Sequence, residues 1–448
     1  MIINLCVIST KTGLGSLFEA VDEINKELES VIVPKVFYTH QLDERNKDLI
    51  REFKDSVLDA DIVIIDIRTP TSWFVKELPE LLRRSRARVV LPLVVGSPEI
   101  LRYLKLNGTT GDAIFSRIRE VDMDTQYLEM SKIWRIMDLI EKSGRIIPVG
   151  PLKHFRNWAL CIKYWAFHGK RNLKNMLLLI LKEYFRVKVK YEKPLVEIPP
   201  GSIWDPEVGT FKNINEYLEA SRVDLTRPTI AILLYAGMHF DQCKPVAEYM
   251  FKELKSRGVN VIPIIGGSSR ELCNQVDFLR RNCMLQGKPV VDAIVNLQWF
   301  RINGGPYGGP SEPTYDLLKE LDCPLFNGPI MFMREVSKWE KDEKGVSPIE
   351  VVTAVTLPEI DGAIEPIPIA GLSDDMSKRT LIIEDRINRK INRILGWLNL
   401  RRKPNAEKRV AIVIYNYPPG EHNVGSASYL DVFGSLEALL KTLKENNY

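Results

Sequence analysis

The sequence predicts an α/β protein built from several doubly wound parallel-sheet units, and three observations carry that expectation. Short β-branched runs recur at 2–9, 61–68, 89–96, 229–236, 259–265, 292–299 and 409–415, each bounded by Gly, Pro or charge. They are continuously apolar rather than alternating, as strands buried on both faces of a parallel sheet are. Helical periodicity fills the intervals. Leu17, Val21, Ile24 and Leu28 recur at three and four residues, and Val246, Met250 and Leu254 do the same ahead of the helix stop at Gly258. Alternating patterns of the two kinds describe stacked α/β layers of the Rossmann or flavodoxin type. At about 150 residues per domain, 448 residues make about three domains.

Composition narrows the class. A chain that is 45% hydrophobic and 27% charged is globular, which excludes disordered and fibrous classes. The net charge of +4 gives no global pull toward nucleic acid. Six cysteines without a CxxC pair argue against a zinc ribbon, an iron–sulfur cluster or a disulfide scaffold, and for a reducing compartment. The N-terminal Met1-Ile-Ile-Asn-Leu-Cys-Val-Ile8 reads as a first strand rather than a signal peptide. No apolar run approaches the ~20 residues of a membrane span, so the expected location is the cytoplasm.

The first α/β domain is expected over 1–150. Its first strand leads into Thr12-Gly13-Leu14-Gly15-Ser16, a GxG whose third glycine is replaced by Phe18. Without it the helix cannot pack closely on the strand, so a tight strand-to-helix turn is the better reading than a dinucleotide fingerprint. Asp66 and Arg68 end a later strand, where ligands of such sheets often sit. A basic helical or connecting segment follows over 151–225. Its first 43 residues carry eleven Lys and Arg against Glu183 and Glu192, interleaved with Trp158, Tyr164, Trp165, Tyr184 and Phe185. Two amphipathic helices burying these aromatics account for the pattern. A nucleic-acid or membrane surface, or a seat for an anionic ligand such as a polycarboxylate, is the alternative.

A second α/β domain is expected over 226–355. Its strands end in polar or glycine clusters: Ala236-Gly-Met-His239-Phe-Asp241, Gly266-Gly-Ser-Ser269, Arg301-Ile-Asn-Gly-Gly305 and Asn327-Gly328. The carboxyl ends of parallel strands lie along one edge, where ligands of such sheets bind. Residues 356–405 read as an irregular linker, marked by Pro358, Pro366 and Pro368, with a charged helix over about 381–398. Over 406–448 a further α/β unit begins. A strand at 409–415 leads through Pro418-Pro419-Gly420 to a helix opened by a Ser428-Tyr-Leu-Asp431 capping pattern, with Phe433, Leu436, Leu440 and Leu443 on one face. One strand and one helix cannot build a core alone, so this piece either joins an earlier sheet or opens a domain continued on another chain.

The longest specific run is Arg401-Arg-Lys-Pro-Asn-Ala-Glu-Lys-Arg-Val-Ala-Ile-Val-Ile-Tyr-Asn-Tyr-Pro-Pro-Gly-Glu421, followed by Asn423-Val-Gly-Ser-Ala-Ser-Tyr-Leu-Asp-Val-Phe433. With 228–258, 292–305 and Gly345-Val-Ser-Pro-Ile-Glu350 leading to 357–362, it resembles the large subunit of the ATP-dependent cobalt and magnesium chelatases, its N-terminal part only. The resemblance covers the chain from about 226 onward and, more loosely, 1–150. It implies the tetrapyrrole-binding portion of a subunit that inserts cobalt or magnesium into a corrin- or porphyrin-type ring. The family's His- and Glu-bearing catalytic motifs lie beyond this stretch, so the resemblance implies a chain that is not catalytic alone and a possible separate C-terminal chelatase chain. The sequence carries no GxxxxGK[ST] phosphate loop, and the resemblance assigns ATP hydrolysis to AAA+ partner subunits. The class competitor is a non-catalytic tetrapyrrole-binding or motor-docking protein. Nucleic-acid binding through 151–193 is the third and weakest reading.

Metal insertion needs a base for two pyrrole N–H protons, a group that orients the metal and a pocket that holds the ring distorted. His239 and Asp241, after a strand, are candidates for substrate binding, the histidine as base or ligand; the bland reading is a loop histidine bonded to backbone. Asn303, Gly304 and Gly305 offer backbone amides to a carboxylate, or form a plain turn. Glu421 and His422 are the catalytic candidates, the first to polarise or deprotonate and the second to ligate metal, flanked by Gly420 and Asn423; turn and helix-start chemistry is their alternative.

Overall fold

The computed structural model describes residues 1–28, 31–42, 46–67, 72–95, 98–111, 151–267, 275–305 and 309–448. Arg68, residues 112–150 of the expected first domain and Ser268 and Ser269 lie outside them. The chain forms two compact units, Met1–Ile387 and Asn388–Tyr448.

In the larger unit the first sheet comprises β1 (Ile2–Ser9), β2 (Val31–Tyr38), β3 (Ile62–Ile67), β4 (Val89–Val95), β5 (Lys105–Leu106) and β6 (Thr109–Thr110). Its order is β2-β1-β3-β4-β5-β6. The first four strands are parallel, and β5 and β6 add antiparallel at the edge. The helices α1 (Gly15–Glu27), α2 (Lys47–Asp59) and α3 (Ser72–Arg84) connect them. Leu5 and Val7 pack on one face with Leu17, Val21 and Ile24, while Cys6 and Ile8 pack on the other with Phe53, Val57 and Leu78. A strand buried on both faces has no polar side to alternate with, which is why β1 reads as a continuous apolar run.

The basic segment supplies α4 (Pro151–Phe167) and α5 (Gly169–Phe185), and both join the first of these cores. Trp158, Tyr164, Trp165 and Leu177 are buried there, so the aromatics are core, as amphipathic helices require. Several cations are paired. Lys153 meets Glu183 at 2.6 Å, Lys170 meets Glu23 at 3.0 Å, and Lys174 meets Glu23 and Glu27 at 2.6 and 2.7 Å.

The second sheet is assembled from β7 (Ile203–Asp205), β8 (Gly209–Phe211), β9 (Thr229–Leu234), β10 (Asn260–Ile265), β13 (Ala293–Asn296), β14 (Leu325–Asn327) and β16 (Ala363–Ile364); β11 (Met284–Leu285) and β12 (Lys288–Pro289) form a separate hairpin. The order is β16-β14-β13-β9-β10-β7-β8. The five strands from β16 to β10 are parallel, and β7 and β8 close the edge antiparallel. The helices α6 (Ile214–Ser221), α7 (Phe240–Ser256), α8 (Gln275–Cys283) and α9 (Glu312–Leu321) flank it. The sheet therefore starts before 226 and runs past 355. Two- and three-residue strands carry too little periodicity to show in the sequence. Both sheets place their second strand outside the first and their third on its other side, so each has a switch point, at β1/β3 and at β9/β13.

Part of the expected linker is a third sheet. It has β15 (Ile330–Glu335) parallel to β17 (Ala370–Leu372), and β18 (Thr380–Ile382) antiparallel to β17. The charged helix runs Glu384–Arg402, so Arg401 and Arg402 are helical rather than linker.

In the smaller unit, the strand expected at 409–415 is not one. Among the described residues it enters no ladder; the nearest pairing is a single bridge between Asn416 and Val424, with the Gly425 N–H donating to the Tyr415 carbonyl at 2.8 Å. Strand propensity is realised only against a neighbour, and this unit holds no second strand. The last helix runs Val432–Glu445 and is capped by Asp431, whose carboxylate accepts from Gly434 N at 2.9 Å, rather than by Ser428.

Candidate functional site

The carboxyl ends of the two parallel sheets meet at one polar junction in the larger unit, a crevice in the topological sense whose side chains are largely buried. It is built from the turns that follow β1 and β9. After β1, the Ser9 hydroxyl donates to the Lys11 carbonyl at 2.8 Å and accepts from the Lys11 N–H at 3.0 Å, which bends the chain sharply. Gly13 then takes φ +76°, and a Cβ there would come within 2.9 Å of Gln242 Cγ from the second sheet. The glycine thus serves both a left-handed turn and a close approach, which accounts for the incomplete GxGxxG without a nucleotide.

Gln242 joins the two sides. Its Nε2 donates to the Thr12 carbonyl at 3.0 Å, which leaves Oε1 facing His239 Nδ1 at 3.0 Å. That orientation makes His239 Nδ1 the donor in this contact. The His239 ring lies 5.3 Å from Tyr235 and 5.5 Å from Trp299, and Trp299 lies 4.3 Å from Phe332. Tyr235 OH donates to the Trp299 carbonyl at 2.8 Å and accepts from its N–H at 3.0 Å, fixing the group at the β9/β13 switch point. Three aromatic rings and an imidazole pack into one cluster in which Tyr235 and Trp299 are buried and Phe332 and His239 half-buried.

Beside it lies a buried charged cluster. Lys11 Nζ is 3.1 Å from His168 Nε2, and the same nitrogen is 3.5 Å from Asp241 Oδ2. Ser16 Oγ donates to Asp241 Oδ2. The ring of Trp165 stands edge-on to His168 at 5.8 Å and its Nε1 donates to Asp66 Oδ2 at 2.9 Å. His168 is held well below the ordinary histidine range, first by burial and then by the Lys11 charge, with the Trp165 backbone acting in the opposite sense.

The third sheet clasps both sides. Thr12 Oγ1 donates to the Phe332 carbonyl at 2.6 Å, Leu14 N–H to Ser377 O at 3.0 Å, Tyr38 OH to Met376 O at 3.0 Å, and Thr380 Oγ1 to Gln242 O at 3.0 Å. Glu335 adds an ionic tie. It accepts from Lys378 at 2.8 Å and Lys338 at 3.0 Å, and although burial alone raises its carboxyl, these lysines bring it down to about 2. His40, against the same group, is pushed down to about 4, chiefly by burial.

His239 and Asp241 therefore sit together in the crevice. Asn303, Gly304 and Gly305 lie on the loop after β13, in a hairpin closed by an Arg301–Gly305 bridge. Asn303 Nδ2 donates to Pro310 O at 2.9 Å, and Arg301 pairs with Asp361 at 2.9 Å. Burial raises the Asp361 carboxyl, against the pull of the Ile302 N–H and Arg301. Gly420, Glu421, His422 and Asn423 belong to the smaller unit, in one tight turn where Asn423 Nδ2 donates to Pro418 O at 2.7 Å and its N–H to Gly420 O at 3.0 Å. Sequence reasoning missed Lys11, His168 and Trp299. Lys11 and His168 are 157 residues apart, and no local spacing signals such a pair. Among the described residues no His, Cys, Asp and Glu group has the makings of a metal site, and no helix is long and apolar enough to cross a membrane.

A sequence profile described as CobN/Magnesium Chelatase matches residues 162–448. The chain is 27% identical over 423 residues to the H-type magnesium-chelatase subunit of Chlorobaculum parvum, covering 89% of this chain and 31% of that one. It is 28% identical over 437 residues to the chloroplastic magnesium-chelatase protein ChlH of Oryza sativa subsp. indica, covering 90% of this chain and 30% of that one. The chain thus spans about a third of the length of these relatives. Among solved structures, the catalytic subunit of cobaltochelatase from Mycobacterium tuberculosis superposes with a TM-score of 0.53 at 18% identity, over 99% of this chain and 31% of that one, and so shares its fold. With well over half of its residues matched by the profile, the chain belongs to the CobN/magnesium chelatase family.

Proposed function

We propose that this chain is the N-terminal, tetrapyrrole-binding portion of the large subunit of a metal chelatase that inserts cobalt or magnesium into a corrin- or porphyrin-type ring. The supporting observation is the crevice, where two switch points, an aromatic cluster and the buried Lys–His–Asp group converge. Phe332 and His239, half-buried at the margin of this cluster, and the partly exposed Asp241 are the side chains a ring could reach. The metal is a substrate of the complex. ATP is hydrolysed by AAA+ partner subunits. Glu421 and His422, with Gly420 and Asn423, serve the assembled enzyme as base and metal-orienting ligand, and Asn303–Gly305 amides take a ring carboxylate. The cytoplasm is the compartment this reading implies.

The test is a titration of the purified chain with protoporphyrin, and with a hydrogenobyrinic-acid-type ring, followed by absorbance. Saturable spectral change that weakens about tenfold in Phe332→Ala, a loss of about 1.4 kcal/mol, is the expected result. No change with either ring, with and without a C-terminal fragment of a relative, would overturn the reading. Binding that is tight but never advances to metal insertion in the reconstituted complex would favour the alternative of a carrier or motor-docking protein.

A further inference from the structure

The buried cluster contains a hydrogen-bond pattern that assigns a proton. A lysine ammonium has donors and no lone pair, so the 3.1 Å contact from Lys11 Nζ makes His168 Nε2 an acceptor. The ring proton of neutral His168 is then on Nδ1. Asp241 Oδ2, 3.5 Å from Nε2, faces a lone pair instead of an N–H. The donor that reaches this carboxylate oxygen is the Ser16 hydroxyl. Lys11 and His168 are 5% and 1% exposed, so solvent does not mediate the choice, whereas the Asp241 side chain retains 21% exposure and opens on the crevice.

We propose that Lys11 is a positioning residue: by holding His168 in the Nδ1–H form it denies Asp241 an Nε2–H partner and leaves that carboxylate as the acceptor for an N–H donor of a ligand in the crevice. The last step rests on the tetrapyrrole reading; the first does not. Charged and titratable groups around His168 come from every neighbouring element: Lys11 from the turn after β1, Asp241 from α7, and Asp66 from β3 through the Trp165 indole. Burial first, and the like charge of Lys11 second, make protonation of His168 unfavourable. The neutral state is therefore a product of the fold and not of ambient pH. Removing the ammonium would reverse the arrangement. With the donor to Nε2 gone and only burial left against protonation, an Nε2–H of His168 could point at Asp241, 3.5 Å away.

The chain has only five histidines, so nitrogen-15 histidine labelling gives a readable spectrum of the full protein. In the unaltered chain His168 should show the neutral Nδ1–H pattern without titrating between about pH 5 and 8. In Lys11→Met its proton affinity should rise and the ring proton should move to Nε2. In Asp241→Asn the Nδ1–H pattern should persist, and this variant serves if Lys11→Met does not fold. A second arm measures protoporphyrin affinity against pH. Lys11→Met should weaken that affinity about equally between about pH 6 and 8, as the Nε2–H captures Asp241. An Nε2–H tautomer in the unaltered chain, or one that changes in Asp241→Asn, overturns the assignment. Correct tautomers with no porphyrin binding at any pH leave Lys11's control of His168 standing and refute the ligand reading instead.

Discussion

Two segments of nearly the same composition meet opposite fates. Thr229-Ile-Ala-Ile-Leu-Leu234 is the centre of the second sheet, paired on both sides and buried at every position. Arg409-Val-Ala-Ile-Val-Ile-Tyr415 has the same β-branched run, yet it enters no ladder, and Val413 is 93% exposed. The difference lies in their neighbours. The first has a parallel partner on each side and helices over both faces; within its own compact unit the second has a turn and one helix. Apolar runs of this kind state what a segment needs, and topology decides whether the need is met.

The sharpest way to break this comparison is to truncate both segments alike. Ile232→Ala in β9 should cost about 4 kcal/mol, because a cavity opens between fixed layers. Ile412→Ala should stay within about 0.5 kcal/mol, the range of surface changes. Chemical denaturation of both variants measures this, and equal losses would mean that 409–415 is packed in solution.

A smaller effect tests how tightly the sheet edge is built. At Gly266 a Cβ would sit 2.3 Å from Gln298 Nε2 and 2.8 Å from the Leu234 carbonyl. Gly266→Ala should therefore destabilise by about 2–3 kcal/mol, whereas Gly420→Ala in the smaller unit, where the nearest atom is His422 Cε1 at 3.1 Å, should cost less than about 1 kcal/mol. Thermal melts of the pair make the contrast.

Acid should separate the regions next. Glu335 is brought to about 2 from an ordinary carboxylate value, so its contribution is fully present above about 4.5 and lost as the pH falls toward 2. Discounted for the exposed Lys338, this is about 2 kcal/mol. His40, pushed down to about 4, acts in the adjacent window: the folded state resists its protonation, so stability is also lost as the pH falls from about 6.5 to 4. Glu335→Gln should flatten the lower part of a stability–pH curve and, because the Glu335 charge opposes the effect of burial on His40, deepen the loss in the upper part. The least effect is expected from Lys174→Ala, whose pairs with Glu23 and Glu27 lie at the surface and contribute under about 1 kcal/mol.

Much of the fold was legible because buried strands and amphipathic helices write their periods into the chain. The strands at 2–9, 229–234 and 260–265, and the core role of Trp158 and Trp165, could be read directly. The hairpin at 203–211 and the strand 363–364 could not, because two or three residues show no period. The placement of His239 and Asp241 at a sheet edge followed from the glycine-rich strand end. His168 did not follow: it sits between two basic helices, and only the packing of those helices on the first sheet brings it to Lys11 and Asp241.

The third sheet has a consequence for how the crevice works. Phe332, Met376, Ser377 and Thr380 fasten to Thr12, Tyr38, Leu14 and Gln242, on turns and elements of both larger sheets. The gap between the two larger sheets is thus set by a spacer inserted from elsewhere in the chain, and not by direct contact of the sheets alone. Any change in the spacing of the two sheets must therefore break these four hydrogen bonds or carry the third sheet along.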